Sequence, residues 1–397
     1  MSSHSAAPAP SDRGPVAALL TRSAILRLLL GWVSVGALTL AAPLLAGRPS
    51  SAVLALVLAA IVAVIVVAAG GVVRQAEALA RRLGDPYGTL VLTLSIVVIE
   101  VVLIAAVMLG PGDHATIARD SVMAVSMIIM NLVLGLCLLV GGLRHGSPAV
   151  HRVGTSAYLV MLVALAALAF ALPATLGEGG RYAPVQAFVI AGLTVALYAV
   201  FLWRQMGAQA AEFQEVTVPA VGTPGGRATR PDDGTAPLSL RRIIAVHRGE
   251  LLARSGLLIA TVLPIVLLSH HMADLLDDAS DRLGAPVALG GVLIALIVFT
   301  PESITAVRAA LAGELQRVVN LCHGALVSTL ALTIPTVLVI GLLTGTPVVL
   351  AASTTNLLLL AATLAVAAIS AAAPRVTAIH GAVHLLLFGV YALLLFR

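Results

Sequence analysis

Residues 88–109 read GTLVLTLSIVVIEVVLIAAVML, and Glu100 is the only ionisable group among them. At 1.5 Å of rise per residue, a helix of this length matches the hydrocarbon thickness of a bilayer. A charge near the bilayer centre costs at least about 2.5 kcal/mol, so a carboxylate kept there is expected to face protein and to have a task. Further along, residues 287–311 read VALGGVLIALIVFTPESITAVRAAL and set Glu302 in a second apolar segment, directly after Pro301. Both stretches predict membrane helices that pack against other helices through a buried acid.

The rest of the chain is built for the same solvent. Of its 397 residues, 60% are hydrophobic and 10% charged, with a mean hydropathy of +1.07, which excludes a soluble domain. Aromatic residues make up only 4%, and the apolar mass is Ala, Leu, Val and Ile with 35 Gly. This is the mix of a helical bundle rather than of alternating barrel strands. Every basic residue is Arg, and the arginines are scattered between apolar runs instead of forming one patch, so the pI near 9.9 points to membrane topology and not to nucleic acid. Cys137 and Cys322 both fall inside apolar runs and imply packing, not a disulfide framework.

By the twenty-residue ruler for a spanning helix, the chain divides into eleven predicted spans: 25–46, 51–73, 88–109, 119–142, 155–175, 184–204, 252–272, 285–307, 318–343, 346–370 and 376–396. The first is read as a retained helix, because no small-residue cleavage site follows the polar tail 1–24. Eighteen of the 23 arginines fall on the N-terminal side of these spans, including the seven from Arg204 to Arg254; only Arg48, Arg119, Arg181, Arg282 and Arg397 fall opposite. The positive-inside rule then predicts a cytoplasmic N-terminus and an external C-terminus. Residues 205–248 are rich in Pro, Gly, Thr and charge and read as a cytoplasmic linker. With the extra span 25–46 set aside, the linker separates five spans (51–204) from five (249–397). An odd number per half makes the halves enter the membrane in opposite directions, the arithmetic of an inverted repeat. Each glutamate falls in the second span of its half.

Pro301 lacks a backbone donor and disfavours helical geometry at Thr300, so a broken helix with a free carbonyl near Ile297 is expected. Thr300 and Ser303 add hydroxyl oxygens beside Glu302, a set of hard donors suited to Ca2+ or Na+ rather than to a soft metal. The fourth span carries Ser126 and Asn131, with Gly135 four residues on from Asn131, and the ninth carries Asn320, Gly324 and Ser328 at fourfold spacing on one helix face. Such small and amide residues serve either the site or close helix packing. His323, next to that second face, is a candidate proton relay or a packing histidine. His380 and His384 stand one turn apart, a metal-compatible spacing without a third ligand. Asp274, Asp277, Asp278 and Asp281 would form one acidic helix face, either a cation-gathering entrance or a solvated end. DLLDD is similar to the aspartate-rich motif of membrane prenyl-transfer enzymes, but no second such motif appears.

With these residues in view, the chain resembles the calcium/cation antiporter superfamily, specifically the bacterial ChaA-type Ca2+(Na+, K+)/H+ antiporters. The resemblance runs from the second span onward. It rests on LTLSIVVIEVVLI (92–104) with ARDS and LLVGG after it, on VLIALIVFTPESITAVRAAL (292–311) with QRVVNL and LTIP after it, and on HGAVHLLLFGVY (380–391). It implies ten core helices in two inverted units. It also implies that Glu100 and Glu302 pair at the midplane, binding a metal cation when ionised and releasing it when protonated. No enzyme activity and no cofactor follow from it; the cargo is Ca2+, with Na+ or K+ as the alternative, against H+. The superfamily's broader pattern places a Gly-Asn pair shortly before each glutamate, where this chain has Ile96 and Val97, and Val298 and Phe299; the choice of cation stays open for that reason. A passive cation channel would also use paired acids, but without moving protons. A bacterial inner membrane is the expected location.

Overall fold

The computed structural model describes residues 21–45, 49–83, 87–110, 114–145, 150–176, 179–207, 240–283, 288–373 and 375–396. Most of the N-terminal tail 1–24, most of the linker 205–248, and Arg397 lie outside the described residues. Eleven helices follow in order: α1 Arg22–Leu45, α2 Ser51–Leu83, α3 Tyr87–Met108, α4 Ile117–His145, α5 Arg152–Leu176, α6 Pro184–Met206, α7 Leu240–Leu283, α8 Ala288–Ala312, α9 Leu315–Thr344, α10 Thr354–Ala372 and α11 Ala378–Leu395. Ten of them are long and apolar enough to cross a membrane among the described residues, and α3 with 22 residues is the eleventh. The protein is an all-α polytopic membrane protein, one N-terminal helix followed by two inverted sets of five.

Burial sorts the helices into an inner and an outer layer. α4 and α9 carry the most enclosed spans, whereas α1 and α6 leave Leu26, Val33, Leu40, Val185, Phe188 and Trp203 exposed. In a bilayer those side chains meet acyl chains, so their exposure has no penalty there. The first helices of the two sets, α2 and α7, pack on each other, and α3 packs on α8. Two of the places where glycine lets backbones meet lie against α4. A Cβ on Gly291 of α8 would stand 2.5 Å from the Ser121 nitrogen of α4, and one on Gly381 of α11 would stand 2.4 Å from the Leu139 nitrogen of α4. Helix α4 is therefore gripped by α8 near its start and by α11 near its end.

Two helix expectations need correction. The predicted break at Pro301 does not occur, since α8 is continuous from Ala288 to Ala312. Neighbouring hydroxyls knit the backbone around the proline: Thr300 Oγ1 donates to the Leu296 carbonyl, and Thr305 Oγ1 to the Pro301 carbonyl at 3.0 Å. The predicted span 346–370 starts only at Thr354. Gly345 ends α9 in a left-handed conformation (φ 72°), Pro347 follows, and residues 346–353 form a connection without regular structure. That connection is pinned by backbone bonds from Val349 to Ala115, from Leu350 and Ala351 to Gly180, and from Ala352 to Phe170. Ser353 then caps α10 by accepting from the Asn356 N–H.

A feature absent from the sequence reading is the pair of π-helical turns, Ile128–Val133 in α4 and Thr329–Thr333 in α9. They begin 28 and 27 residues after Glu100 and Glu302, at matching places in the two sets. A π-turn adds one residue to a helical turn and is found chiefly where function demands a locally displaced side chain. A third lies at Ala167–Ala171 in α5.

Candidate functional site

Glu100 is wholly enclosed, at 0% exposure. Its Oε2 accepts from Thr329 Oγ1 at 2.8 Å and Thr333 Oγ1 at 3.0 Å, two hydroxyls one turn apart on the π-turn of the opposite set. Hydrogen bonds to an ionised group are roughly twice as strong as neutral ones, so these two fix the carboxylate's orientation across the two halves. Its other oxygen, Oε1, is buried without a partner among the described residues.

Glu302 sits at the corresponding place in α8. Its Oε2 is likewise buried and unpartnered, and its side chain lines a small pocket with Ile129 and Val133 of the α4 π-turn, Ser303 of α8, and Cys322 and Ala325 of α9. Ser303 Oγ donates to the Phe299 carbonyl at 2.7 Å, which leaves its lone pairs available toward that pocket. Thr300 lies instead in a wider apolar groove between α4 and α8, lined also by Leu132, Leu136 and Leu296.

The other sequence candidates go elsewhere. Asn131 is fully buried, but its Nδ2 donates to Thr363 Oγ1 of α10 at 2.8 Å and its Oδ1 faces His384 Nδ1 of α11 at 3.0 Å. Ser126 and Ser328 spend their hydroxyls on their own helices, at the Val122 and Ala325 carbonyls. Asn320 accepts from Gln316 at 3.0 Å, near the start of α9, and His323 lines a separate cavity. His380 and His384 take different partners, Thr377 and Asn131. Of the aspartate face, Asp278 pairs with Arg282 at 2.6 Å and Asp274 is exposed, while the side chains of Asp277 and Asp281 lie outside the described residues. Sequence reasoning missed Thr329 and Thr333. Their only signal was the LTIP stretch, together with a spacing of four residues that sets two hydroxyls on one helix face.

Two carboxylates, one from each inverted set, thus stand inside a membrane-spanning helical bundle, each with a buried oxygen that has no partner among the described residues. The sequence pattern of the family described as "sodium/calcium exchanger protein" matches residues 53–207 and 255–397. The chain belongs to that family, which is one of antiporters and not of enzymes. Among its relatives, the y4hA protein of Sinorhizobium fredii is 35% identical over 325 residues, covering 81% of this chain and 83% of that protein. The sodium-potassium/proton antiporter ChaA of Escherichia coli is 32% identical over 331 residues, covering 82% and 84%. Among solved structures, native YfkE superimposes with a TM-score of 0.69 at 16% identity, over 93% of this chain and 99% of that one. The H+/Ca2+ exchanger CAX gives 0.62 at 15% identity, over 94% and 89%. At those identities the two structures speak for the fold.

Proposed function

We propose that the protein exchanges Ca2+ for H+ across the membrane by alternating access, with Glu100 and Glu302 binding the cation or protons in competition. The observation that carries this reading is the pair of buried carboxylate oxygens without protein partners, Glu100 Oε1 and Glu302 Oε2. Left ionised and empty, such groups would be prohibitively costly in the bundle; a cation or a proton on each removes that cost. Inward- and outward-facing states then expose the pair alternately, and each crossing requires the carboxylates to be loaded. Two carboxylates neutralise one divalent ion. The second reading is Na+ or K+ against H+, favoured by the 32% identity to a sodium-potassium/proton antiporter. Ser303 supports Glu302 from within its pocket, and Thr329 and Thr333 hold Glu100.

The same reading assigns residues 51–204 and 249–397 to the two repeats, 205–248 to a cytoplasmic linker and 1–24 to a cytoplasmic tail. The N-terminus lies inside and the C-terminus outside, in a bacterial inner membrane; a C-terminal reporter that works only in the cytoplasm would contradict that orientation. The function is tested by proton flux in liposomes with Ca2+, Na+ and K+ offered singly. Wild-type protein dissipates a ΔpH with at least one of them, and Glu100→Gln and Glu302→Gln reach the membrane but do not. Full exchange in either variant refutes the carboxylate assignment, and flux of cation without protons would identify a channel.

A further inference from the structure

Between the later parts of α4 and α10 and the starts of α5, α9 and α11 lies a second cavity. Its polar lining is His323, His384, Ser370 and Thr155; the remainder is aliphatic, including Leu134, Leu138 and Val319. His323, His384 and Ser370 are 2%, 0% and 6% exposed. His323 Nε2, His384 Nε2 and Ser370 Oγ are all buried without a partner among the described residues. Three such atoms in one small cavity call for a ligand, because an unsatisfied buried polar group costs about 1–3 kcal/mol.

The hydrogen-bond network assigns the tautomer of each ring. His323 Nδ1 faces the Val319 carbonyl at 3.0 Å; a carbonyl only accepts, so Nδ1 carries the hydrogen and Nε2 a bare lone pair. Thr363 Oγ1 donates to the Leu359 carbonyl at 2.8 Å, so it accepts from Asn131 Nδ2. This turns Asn131 Oδ1 toward His384, whose Nδ1 must then be the donor across the 3.0 Å contact. Both Nε2 atoms are acceptors, and the Ser370 hydroxyl supplies a donor. Thr155 spends its hydrogen on the His151 carbonyl at 2.8 Å. The complement to this set is a small molecule with two donors and an acceptor, and the cavity has room for about one or two waters.

We propose that this cavity is a hydration site that takes up a proton, in which water donates to His323 Nε2 and His384 Nε2 and accepts from Ser370 Oγ. A proton delivered through that water lands on an Nε2; the imidazole then donates from both nitrogens and the water turns to accept. The site lies across α9 from the Glu302 pocket, since Cys322 lines one cavity and His323 the other. It is thus a proton station separate from the cation-binding carboxylates. Around its imidazoles stand Tyr158 of α5, with its ring 6.1 Å from that of His323, and Asn131 of α4, bonded in turn to Thr363 of α10; His380, one turn from His384 on α11, is held by Thr377. Among the described lining residues there is no carboxylate to stabilise an imidazolium, so a proton taken up there is held weakly and handed on.

The proposal rests on the exchanger reading, and the test separates the two. Full-length protein labelled with 15N-histidine is reconstituted in liposomes. The wild type is expected to show both imidazoles as Nδ1–H tautomers with cross-peaks to water, and Ser370→Ala to weaken those cross-peaks. His323→Gln and His384→Gln, which keep a hydrogen-bonding side chain but cannot take a proton, should bind Ca2+ or K+ at fixed pH within about twofold of wild type. Their ΔpH-driven exchange should fall about tenfold or more, with a displaced pH profile. Should either histidine variant fail to fold, Ser370→Ala carries the same comparison with a smaller displacement. Absence of water contact at both Nε2 atoms of the wild type overturns the proposal, as do pH profiles that superimpose on the wild type in all variants. A wild type that exchanges no cation for protons overturns the exchanger reading instead, and the imidazole–water cross-peaks then decide the hydration site alone.

Discussion

Glu100 and Glu302 each precede a serine, Ser126 and Ser328, by 26 residues, and each is followed by a π-turn on the next helix. By that register, Thr329 and Thr333 of α9 match Met127 and Asn131 of α4. The threonines reach across to clamp Glu100. Their counterparts do not reach Glu302: Asn131 turns to Thr363 and His384, and its Nδ2 also touches Met127 Sδ at 3.4 Å. One carboxylate is thus held by protein donors and the other is left to its pocket. The repeat fixes where an acid stands, whereas the partner helix fixes whether that acid is already engaged.

The most damaging way to break this asymmetry is Gly381→Leu. The added side chain has no room against the α4 backbone, and it separates α4 from the helix that keeps Asn131 occupied. A loss of about 3 kcal/mol or more is expected, read as loss of monodisperse protein and a lowered melting temperature in detergent. Next in size, Thr329→Val with Thr333→Val removes both donors to Glu100 at nearly constant volume. About 1–3 kcal/mol of carboxylate positioning goes with them, so the apparent cation affinity in a flux titration shifts by roughly tenfold; an unchanged affinity would mean that the clamp is incidental. Asn131→Leu strands His384 Nδ1 and should lower thermal stability by about 1–2 kcal/mol, yet move cation affinity less than the threonine pair does. The smallest effect belongs to Ser126→Ala and Ser328→Ala. Their hydroxyls only bond the preceding turn of their own helices, so stability and affinity stay within about 0.5 kcal/mol.

The helices and the two acids were legible in the sequence because lipid leaves few alternatives. An apolar run of twenty residues must close its own backbone hydrogen bonds, and a lone carboxylate within it stands out. What surrounds Glu100 was not legible. Thr329 and Thr333 read as ordinary helix residues, and the carboxylate they hold stands 229 and 233 positions away. Asn131 looked like a site residue because amides are rare in lipid; its partner His384 stands 253 positions away, a pairing only the fold could reveal. Pro301 was over-read: a proline deletes one backbone bond, but adjacent Thr and Ser hydroxyls can occupy the carbonyls around it and keep the helix whole. At 346–353 apolarity alone predicts helix, whereas Gly345 and Pro347 end it and leave a connection without regular structure until Thr354.

The two glycine contacts of α4 make it a shaft clamped at both ends to different bodies, to α8 through Gly291 beside Asp120 and Ser121, and to α11 through Gly381 beside Leu139. Between the clamps lies the turn Ile128–Val133. A relative rotation of the two bodies would have to pass along α4 through those six residues. That same segment presents Ile129 and Val133 to Glu302 and Asn131 to the histidine cavity, so a twist taken up there re-aims both internal compartments at once.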